Sequence, residues 1–250
     1  MSLGYLLTWL MVFLRGVGIV VLLPQMAGRQ APIQVRVALA MCMATLLVGV
    51  LPPADVPADL WHLIFASAGE VVLGLAMGFV GQMAFASIEL AGRIMSSEVG
   101  LSVAPGMAGP DLASAPLSSF VSAFAVVMFF ALDGHLAVLG AFARSFALAA
   151  PGHPLLGSGA ADLVINETSH VIELGLRIAA PFVALNFLVT LSFAVLGRAV
   201  PRMNVFILSA SIRALAGMAL LSGAGALLAR YLYVEFDRMP LRMLEMLAKR

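Results

Sequence analysis

A carboxylate and an imidazole stand two residues apart inside an apolar run, at Asp133 and His135. Two such groups could pass a proton between them near neutral pH, which is the chemistry of an intramembrane proton relay. A structural role is favoured instead, because Gly134 interrupts the helix and the Asp133 side chain can accept hydrogen bonds from the free N–H groups of the next segment. We therefore expect a broken helix with Asp133 as the N-cap of its second half.

Other polar side chains recur inside apolar runs, where an unpaired charge costs about 2.5 to 3.5 kcal/mol even on the mildest insertion scale. They are Arg15, Glu70, Gln82, Glu89, Glu173, Arg177, Asn186 and Arg213. Glu89 precedes Arg93 by four residues, a spacing at which an acid and a base meet on one helix face. Glu173 and Arg177 repeat this spacing. The remaining polar groups need partners in neighbouring helices.

Glu70 precedes a glycine-rich face formed by Gly74, Gly78 and Gly81. Small residues at four-residue spacing let apolar helices approach each other closely. We expect Glu70 to be a hydrogen-bonding group at a subunit interface, and a pore-lining carboxylate is the alternative.

No catalytic, metal or cofactor site is predicted. The chain lacks Gly-x-Ser-x-Gly, His-Glu-x-x-His and a glycine-rich phosphate loop with a lysine. His62, His153 and His170 lack zinc-ligand spacing, and the chain has a single cysteine. Ser145 and His135 lie in one region, but helix geometry gives no reason for them to meet, which argues against an intramembrane protease.

The elements that must position these groups are long apolar helices. Hydrophobic residues make up 62% of the 250 residues and charged residues 11%, with a formal charge of +1. This composition is typical of a membrane protein and offers no electrostatic field for nucleic acid. A helix of about 20 residues spans a bilayer, and the blocks near that length are 3–23, 35–51, 60–90, 117–150 with a break, 171–196 and 205–228. We expect an all-α fold of about six long apolar helices, some of them broken, and no removable signal peptide.

Basic residues are unevenly distributed among the connections and predict an orientation. The connections predicted to be cytoplasmic carry Arg29 and Arg36, Arg93, and Arg198 and Arg202; those on the opposite side carry Asp55, Asp59, Asp162 and Glu167. Strict alternation then places the basic tail, residues 230–250, outside the cytoplasm. Either one block does not cross the bilayer, or protein partners hold the tail. After Pro240 the tail is predicted to form a short amphipathic helix.

A series of short motifs follows a specific order and spacing. They are Gly69-Glu70 with Gly74 and Gly78, Ala91-Gly92 followed by Gly100-Leu-Ser-Val-Ala104, Asp133-Gly-His135 followed by Ser145, Ala180-Pro181, and Arg198 followed by Pro201-Arg-Met-Asn-Val-Phe206. Together they resemble the FliR/SctT family, a membrane component of the type III protein export gate, over nearly the whole chain. The form of residues 100–104 looks more like the flagellar than the injectisome branch.

The resemblance implies a structural channel subunit that translocates unfolded flagellar proteins across the bacterial inner membrane, within the flagellar basal body. Membrane helical hairpins would assemble with FliP-like and FliQ-like subunits into a helical pore. Residues 1–170, including the loop 100–119, would be FliP-like, and residues 171–250 would form a FliQ-like hairpin with an amphipathic tail. Candidate polar groups at subunit interfaces or along the pore are Glu70, Gln82, Asp133, His135 and Arg177. A secondary transporter and an injectisome-type gate subunit are the alternatives, since broken helices with midplane charges also mark transporters.

The loop within residues 100–119 is interrupted too often by proline and glycine to form a helix. By resemblance it would be a plug folded into the pore, with the candidates Val103, Ala104, Pro105, Gly106, Met107, Gly109, Pro110, Asp111 and Leu112. Met107 and Leu112 would provide a deformable apolar seal. A plain surface connector is the alternative.

The turn between the last two apolar blocks contains Arg198, Pro201, Arg202 and Asn204. By resemblance to a FliQ-type hairpin, this turn would face an FlhB-like subunit on the cytoplasmic side. The alternative is a pair of arginines that only sets the orientation of the chain.

Overall fold

The computed structural model describes residues 3–22, 32–52, 59–100, 116–154, 157–200 and 204–247. In these ranges the chain is entirely helical apart from turns, which confirms the predicted all-α class. The helices are α1 (Leu3–Leu22), α2 (Ile33–Val48), α3 (Leu60–Val99), α4 (Pro116–Ala131), α5 (Gly134–Leu148), α6 (Ala160–Ala199) and α7 (Val205–Glu245).

Three of the helices are about twice as long as a bilayer requires. Helices α3 and α6 contain 40 residues each and α7 contains 41, which corresponds to about 60 Å at 1.5 Å per residue. Among the described residues, 4 helices are long and apolar enough to cross a membrane, or up to 5 if the bent pair α4 and α5 forms one span. The chain is therefore a multi-pass membrane protein by helix length and composition.

The chain forms two compact units. Unit 1 comprises residues 1–84, 129–169 and 235–250, and unit 2 comprises residues 85–128 and 170–234. The described core of unit 1 includes Met11, Ile19, Leu73, Met77, Phe142, Met239 and Met243. That of unit 2 includes Ile88, Met95, Val99, Val121, Ile178, Phe182 and Leu232.

The long helices correct three boundaries expected from the sequence. Arg93 does not lie in a connection, because α3 continues to Val99. Asp162 and Glu167 also lie within a helix, since α6 begins at Ala160. The tail does not start a new helix after Pro240, because α7 passes through this proline and ends at Glu245.

Packing explains why α7 continues through Pro240. A proline inside a helix removes one backbone hydrogen bond and costs about 3 kcal/mol. Buried apolar side chains recur at three- and four-residue spacing on both sides of it; they are Leu232, Phe236, Met239, Met243 and Met246. Burying such a side chain contributes about 1.5 to 3 kcal/mol, so the continuous buried face outweighs the lost hydrogen bond.

Candidate functional site

Among the described residues, the two most buried charges form an ion pair between α1 and α3 in unit 1. The Nε of Arg15 donates a hydrogen bond to Oε2 of Glu70 at 2.6 Å, and its Nη2 donates to Oε1 at 3.1 Å. Both side chains are fully buried. In this bidentate geometry the planar guanidinium and the carboxylate form two nearly parallel hydrogen bonds, which are stronger than hydrogen bonds between neutral groups.

Further groups complete the surroundings of this pair, which we call the Arg15 cluster: Arg15, Glu70, Ser145, Ala149 and Gly152. Arg15 also donates to the Ser145 hydroxyl at 2.9 Å and to the Ala149 carbonyl at 3.0 Å. The backbone N–H of Gly152 donates to Glu70 at 2.9 Å. The cluster therefore ties α1, α3 and the C-terminal end of α5 together and neutralises both charges inside the chain.

The location of Glu70 corrects the role expected from the sequence. A carboxylate at a subunit interface or along a pore must be accessible from outside the chain. Glu70 is fully buried and engaged by Arg15 and Gly152. Its role is to hold the chain's own helices together.

Glycines allow α1 and α3 to approach closely enough for this ion pair. A Cβ at Gly18 would lie 2.7 Å from both the Leu75 nitrogen and the Val71 carbonyl oxygen, and a Cβ at Gly74 would overlap the Arg15 carbonyl. Such distances leave no room for any side chain. The sequence predicted a close helix crossing from Gly74 and Gly78, and the structure supplies α1 as the partner helix.

Asp133 lies at the predicted break between α4 and α5, which are bent by 64°. It occupies the N-cap position of α5, but its backbone is left-handed, with φ 56°, and its side chain makes no capping hydrogen bond. Its carbonyl instead accepts the N–H groups of Leu136 and Ala137 at 2.9 and 3.1 Å. The break was predicted correctly, whereas the side-chain capping mechanism is wrong.

His135 follows this break and packs against an aromatic ring. Its ring centroid lies 5.2 Å from that of Phe130. Its Nδ1 is buried and has no hydrogen-bond partner, while Asp133 is exposed. No hydrogen bond joins Asp133 to His135 in the structure.

Two predicted ion pairs on single helices are confirmed in unit 2. Arg93 and Glu89 are 2.6 Å apart on α3, and Arg177 and Glu173 are 2.6 Å apart on α6. All four side chains are more than half exposed. The remaining candidate, Gln82, is also exposed but belongs to unit 1.

Unit 2 also contains polar contacts between helices that sequence reasoning missed. Asn186 of α6 donates to the Glu98 carboxylate of α3 at 2.5 Å. Arg213 of α7 donates from Nη2 to the Thr190 hydroxyl of α6 at 3.4 Å. Asn186 and Arg213 were recognised as polar groups in need of partners, but no spacing rule identifies a partner on another helix.

A further ionic group, also missed, fixes the end of α7 in unit 1. Arg242 contacts Glu167 at 3.1 Å and Glu235 at 2.7 Å. Both carboxylates are buried. The seven-residue spacing of Glu235 and Arg242 places them on one helix face, which was the available sequence signal.

Several predicted site residues lie outside the described part of the chain. These are the plug candidates Val103, Ala104, Pro105, Gly106, Met107, Gly109, Pro110, Asp111 and Leu112, together with Pro201 and Arg202 of the turn. Arg198 lies at the exposed end of α6, and Asn204 is exposed immediately before α7. Among the described residues, no group of three or more His, Cys, Asp or Glu side chains could hold a metal ion.

Sequence comparisons agree with this membrane architecture. The family described as bacterial export proteins, family 1, matches residues 6–239. The chain is 27% identical over 232 residues to the flagellar biosynthetic protein FliR of Escherichia coli strain K12, covering 90% of this chain and 88% of the relative. It is 26% identical over 218 residues to the FliR of Caulobacter vibrioides, covering 85% and 86%. It is also 27% identical over 161 residues to the Yop proteins translocation protein T of Yersinia pestis, covering 62% and 60%.

Proposed function

The chain belongs to family 1 of the bacterial export proteins, and from this premise we propose that it is a structural, non-enzymatic channel subunit of the flagellar type III protein export gate. The similarity to FliR proteins extends over most of both chains, whereas the similarity to the Yop translocation protein covers less of each. The flagellar form is therefore favoured over the injectisome form.

The main support for a role in an assembly is the large exposed apolar surface of α6 and α7. Only 22% of the most apolar window of α6 and 11% of that of α7 is buried within the chain. The same helices carry Glu173, Arg177 and Arg213, whose charges are costly to expose to hydrocarbon. A surface that is both apolar and charged fits protein neighbours better than lipid alone.

The partners that we propose are FliP-like and FliQ-like membrane subunits, which together with this chain would enclose a pore in the bacterial inner membrane, at the flagellar basal body. Residues 1–170 would be the FliP-like part and residues 171–250 the FliQ-like part. An FlhB-like subunit would contact the turn at Arg198, Arg202 and Asn204. Gln82, Asp133, His135 and Arg177 are the remaining candidate interface or pore groups. The cargo would be unfolded protein.

Purification of the tagged chain from its own membranes in mild detergent tests this proposal. We expect two other membrane proteins to co-purify in fixed stoichiometric excess over the chain. A small oligomer of the chain alone would instead support a secondary transporter and contradict the proposed function.

We further propose that residues 103–112 close the pore at rest. Deleting residues 104–111 should raise ion conductance across membranes that contain the complete gate, because the apolar seal would be lost. Unchanged conductance, with assembly verified by co-purification, would support the surface connector instead.

A further inference from the structure

Among the described residues, four arginines of the long helices are paired with a carboxylate, whereas Arg213 is not. Arg15, Arg93, Arg177 and Arg242 each have a carboxylate within 3.1 Å. Within the described ranges, no carboxylate lies within ion-pair distance of Arg213. It has one hydrogen bond, from Nη2 to a neutral hydroxyl at 3.4 Å, and its Nε is buried without an acceptor.

The position of Arg213 makes this incomplete pairing costly. It lies within α7, whose apolar window is 11% buried, and the side chain itself is partly exposed. Arg213 lies in the first turns of the apolar span Leu208–Glu245; an arginine there is costly unless it is paired or reaches the headgroup region, and a buried N–H without an acceptor adds about 1 to 3 kcal/mol. Among the described residues Arg213 therefore keeps an unpaired positive charge, which an acceptor from outside the chain would neutralise.

The surrounding surface of α7 is suited to another helix. Large apolar side chains point outward near Arg213, among them Leu215 and Met218, which are 70% and 63% exposed. At Gly223 and Gly225 a Cβ would meet no atom within 4 Å, whereas at Gly217 it would overlap Val99 of α3. The space beside Gly217 is therefore filled by α3 of the same chain, whereas the space beside Gly223 and Gly225 is open to a neighbouring helix.

We infer that Arg213 binds a carboxylate carried by an apolar helix of a neighbouring gate subunit, and that this ion pair docks that helix beside α7. Charge complementarity determines the chemistry of the partner: an Asp or Glu in a membrane helix neutralises the guanidinium and accepts its remaining N–H groups. This inference rests on the proposed function, because it requires a gate subunit as neighbour.

Chemical cross-linking of the assembled complex tests the contact directly. In the Arg213→Lys variant the introduced amine keeps the charge and can be joined to a nearby carboxylate by the lipid-soluble reagent dicyclohexylcarbodiimide. An amide bond forms, and the reagent takes up the elements of water to become a urea. We expect a covalent adduct between this chain and one partner subunit, with the linked Asp or Glu identified by mass spectrometry.

The matched control is Arg93→Lys, because Arg93 already has its own partner in Glu89 at 2.6 Å. Its adduct should form within the chain and leave the inter-chain band absent. An Arg213→Lys sample that gives no inter-chain adduct, or one linked only within the chain, would overturn the inference.

A second measurement keeps the test decisive if the lysine alters the geometry. Arg213→Gln should lower the recovery of the partner subunit about tenfold or more in detergent, because it leaves the partner's carboxylate without its cation, while Arg93→Gln should keep the recovery within about twofold. Equal recovery for both variants, with and without added anionic lipid, would also overturn the inference. If partner recovery with the unaltered chain depended on anionic lipid and the Arg213→Lys sample gave no inter-chain adduct, a lipid phosphate would be the acceptor and the subunit contact would be rejected. Failure of the unaltered chain to recover any partner would instead contradict the proposed function itself.

Discussion

Arginines in apolar helices are accommodated differently in the two units of this chain. Arg15 of unit 1 is surrounded by the Glu70 carboxylate, the Ser145 hydroxyl and a backbone carbonyl, all within 3.1 Å. Arg213 of unit 2 has one neutral hydroxyl at 3.4 Å. The Arg15 charge is therefore neutralised within unit 1, whereas the described residues of unit 2 supply no carboxylate to Arg213. The comparison separates a cation whose partners lie within its own unit from one that the proposed assembly would have to pair.

The largest effect should follow from breaking the Arg15 cluster. Glu70→Gln leaves the buried Arg15 charge without its carboxylate, and removing one partner of a buried ion pair costs about 3 to 5 kcal/mol. We expect a clear fall in the thermal unfolding midpoint of the purified chain. The double variant Arg15→Met with Glu70→Met removes both charges and should recover most of the loss, since apolar replacements of similar volume are often tolerated. A double variant as unstable as Glu70→Gln would show that the cluster is not an independent ion pair.

A smaller change in stability should distinguish Gly74, which packs against α1, from Gly223, which faces away from the chain. Gly74→Ala places a methyl group against the Arg15 carbonyl and should destabilise the chain by about 1 to 3 kcal/mol through overpacking. Gly223→Ala meets no atom within 4 Å and should stabilise the isolated chain by up to about 1 kcal/mol through helix propensity. Thermal unfolding of the two purified variants would measure the difference. A loss of stability in the isolated chain at both positions would contradict the outward assignment of Gly223.

The smallest effect should come from the exposed ion pair of unit 2. Glu173 and Arg177 are more than half exposed, and such i,i+4 pairs contribute about 0.3 to 0.5 kcal/mol. Arg177→Gln should therefore leave the unfolding midpoint in detergent nearly unchanged. A loss above about 2 kcal/mol would place this pair in surroundings as dry as those of the Arg15 cluster and would remove the contrast between the units.

Much of the fold is predictable from the sequence because apolar run length decides where a membrane helix can form. The expected blocks 3–23 and 35–51 differ by only a few residues from α1 and α2, and the break near Asp133 was located correctly. The errors occurred where charges follow an apolar run. A self-paired acid and base, such as Glu89 and Arg93, can continue a helix that hydropathy alone would end.

The candidate site was harder to predict because its contacts join residues far apart in the sequence. The pairs Glu89 with Arg93 and Glu173 with Arg177 follow from helix periodicity alone and were found. The partnership of Arg15 with Glu70 depends on which helices cross, and no local pattern specifies it. For this reason Glu70 was expected to face another subunit. Its buried role emerges only when α1 and α3 are placed together.

The spacing of the Arg15 cluster also has a consequence for synthesis on the ribosome. The arginine is made early, whereas its carbonyl acceptor at Ala149 lies 134 residues later in the chain. At a synthesis rate of about 5 to 20 residues per second, the delay is roughly 7 to 27 s. During this time α1 carries a cation whose final hydrogen-bonding shell has not yet been translated. We therefore expect α1 to stay at the insertion machinery or the headgroup region at least until Glu70, 55 residues after Arg15, supplies the carboxylate.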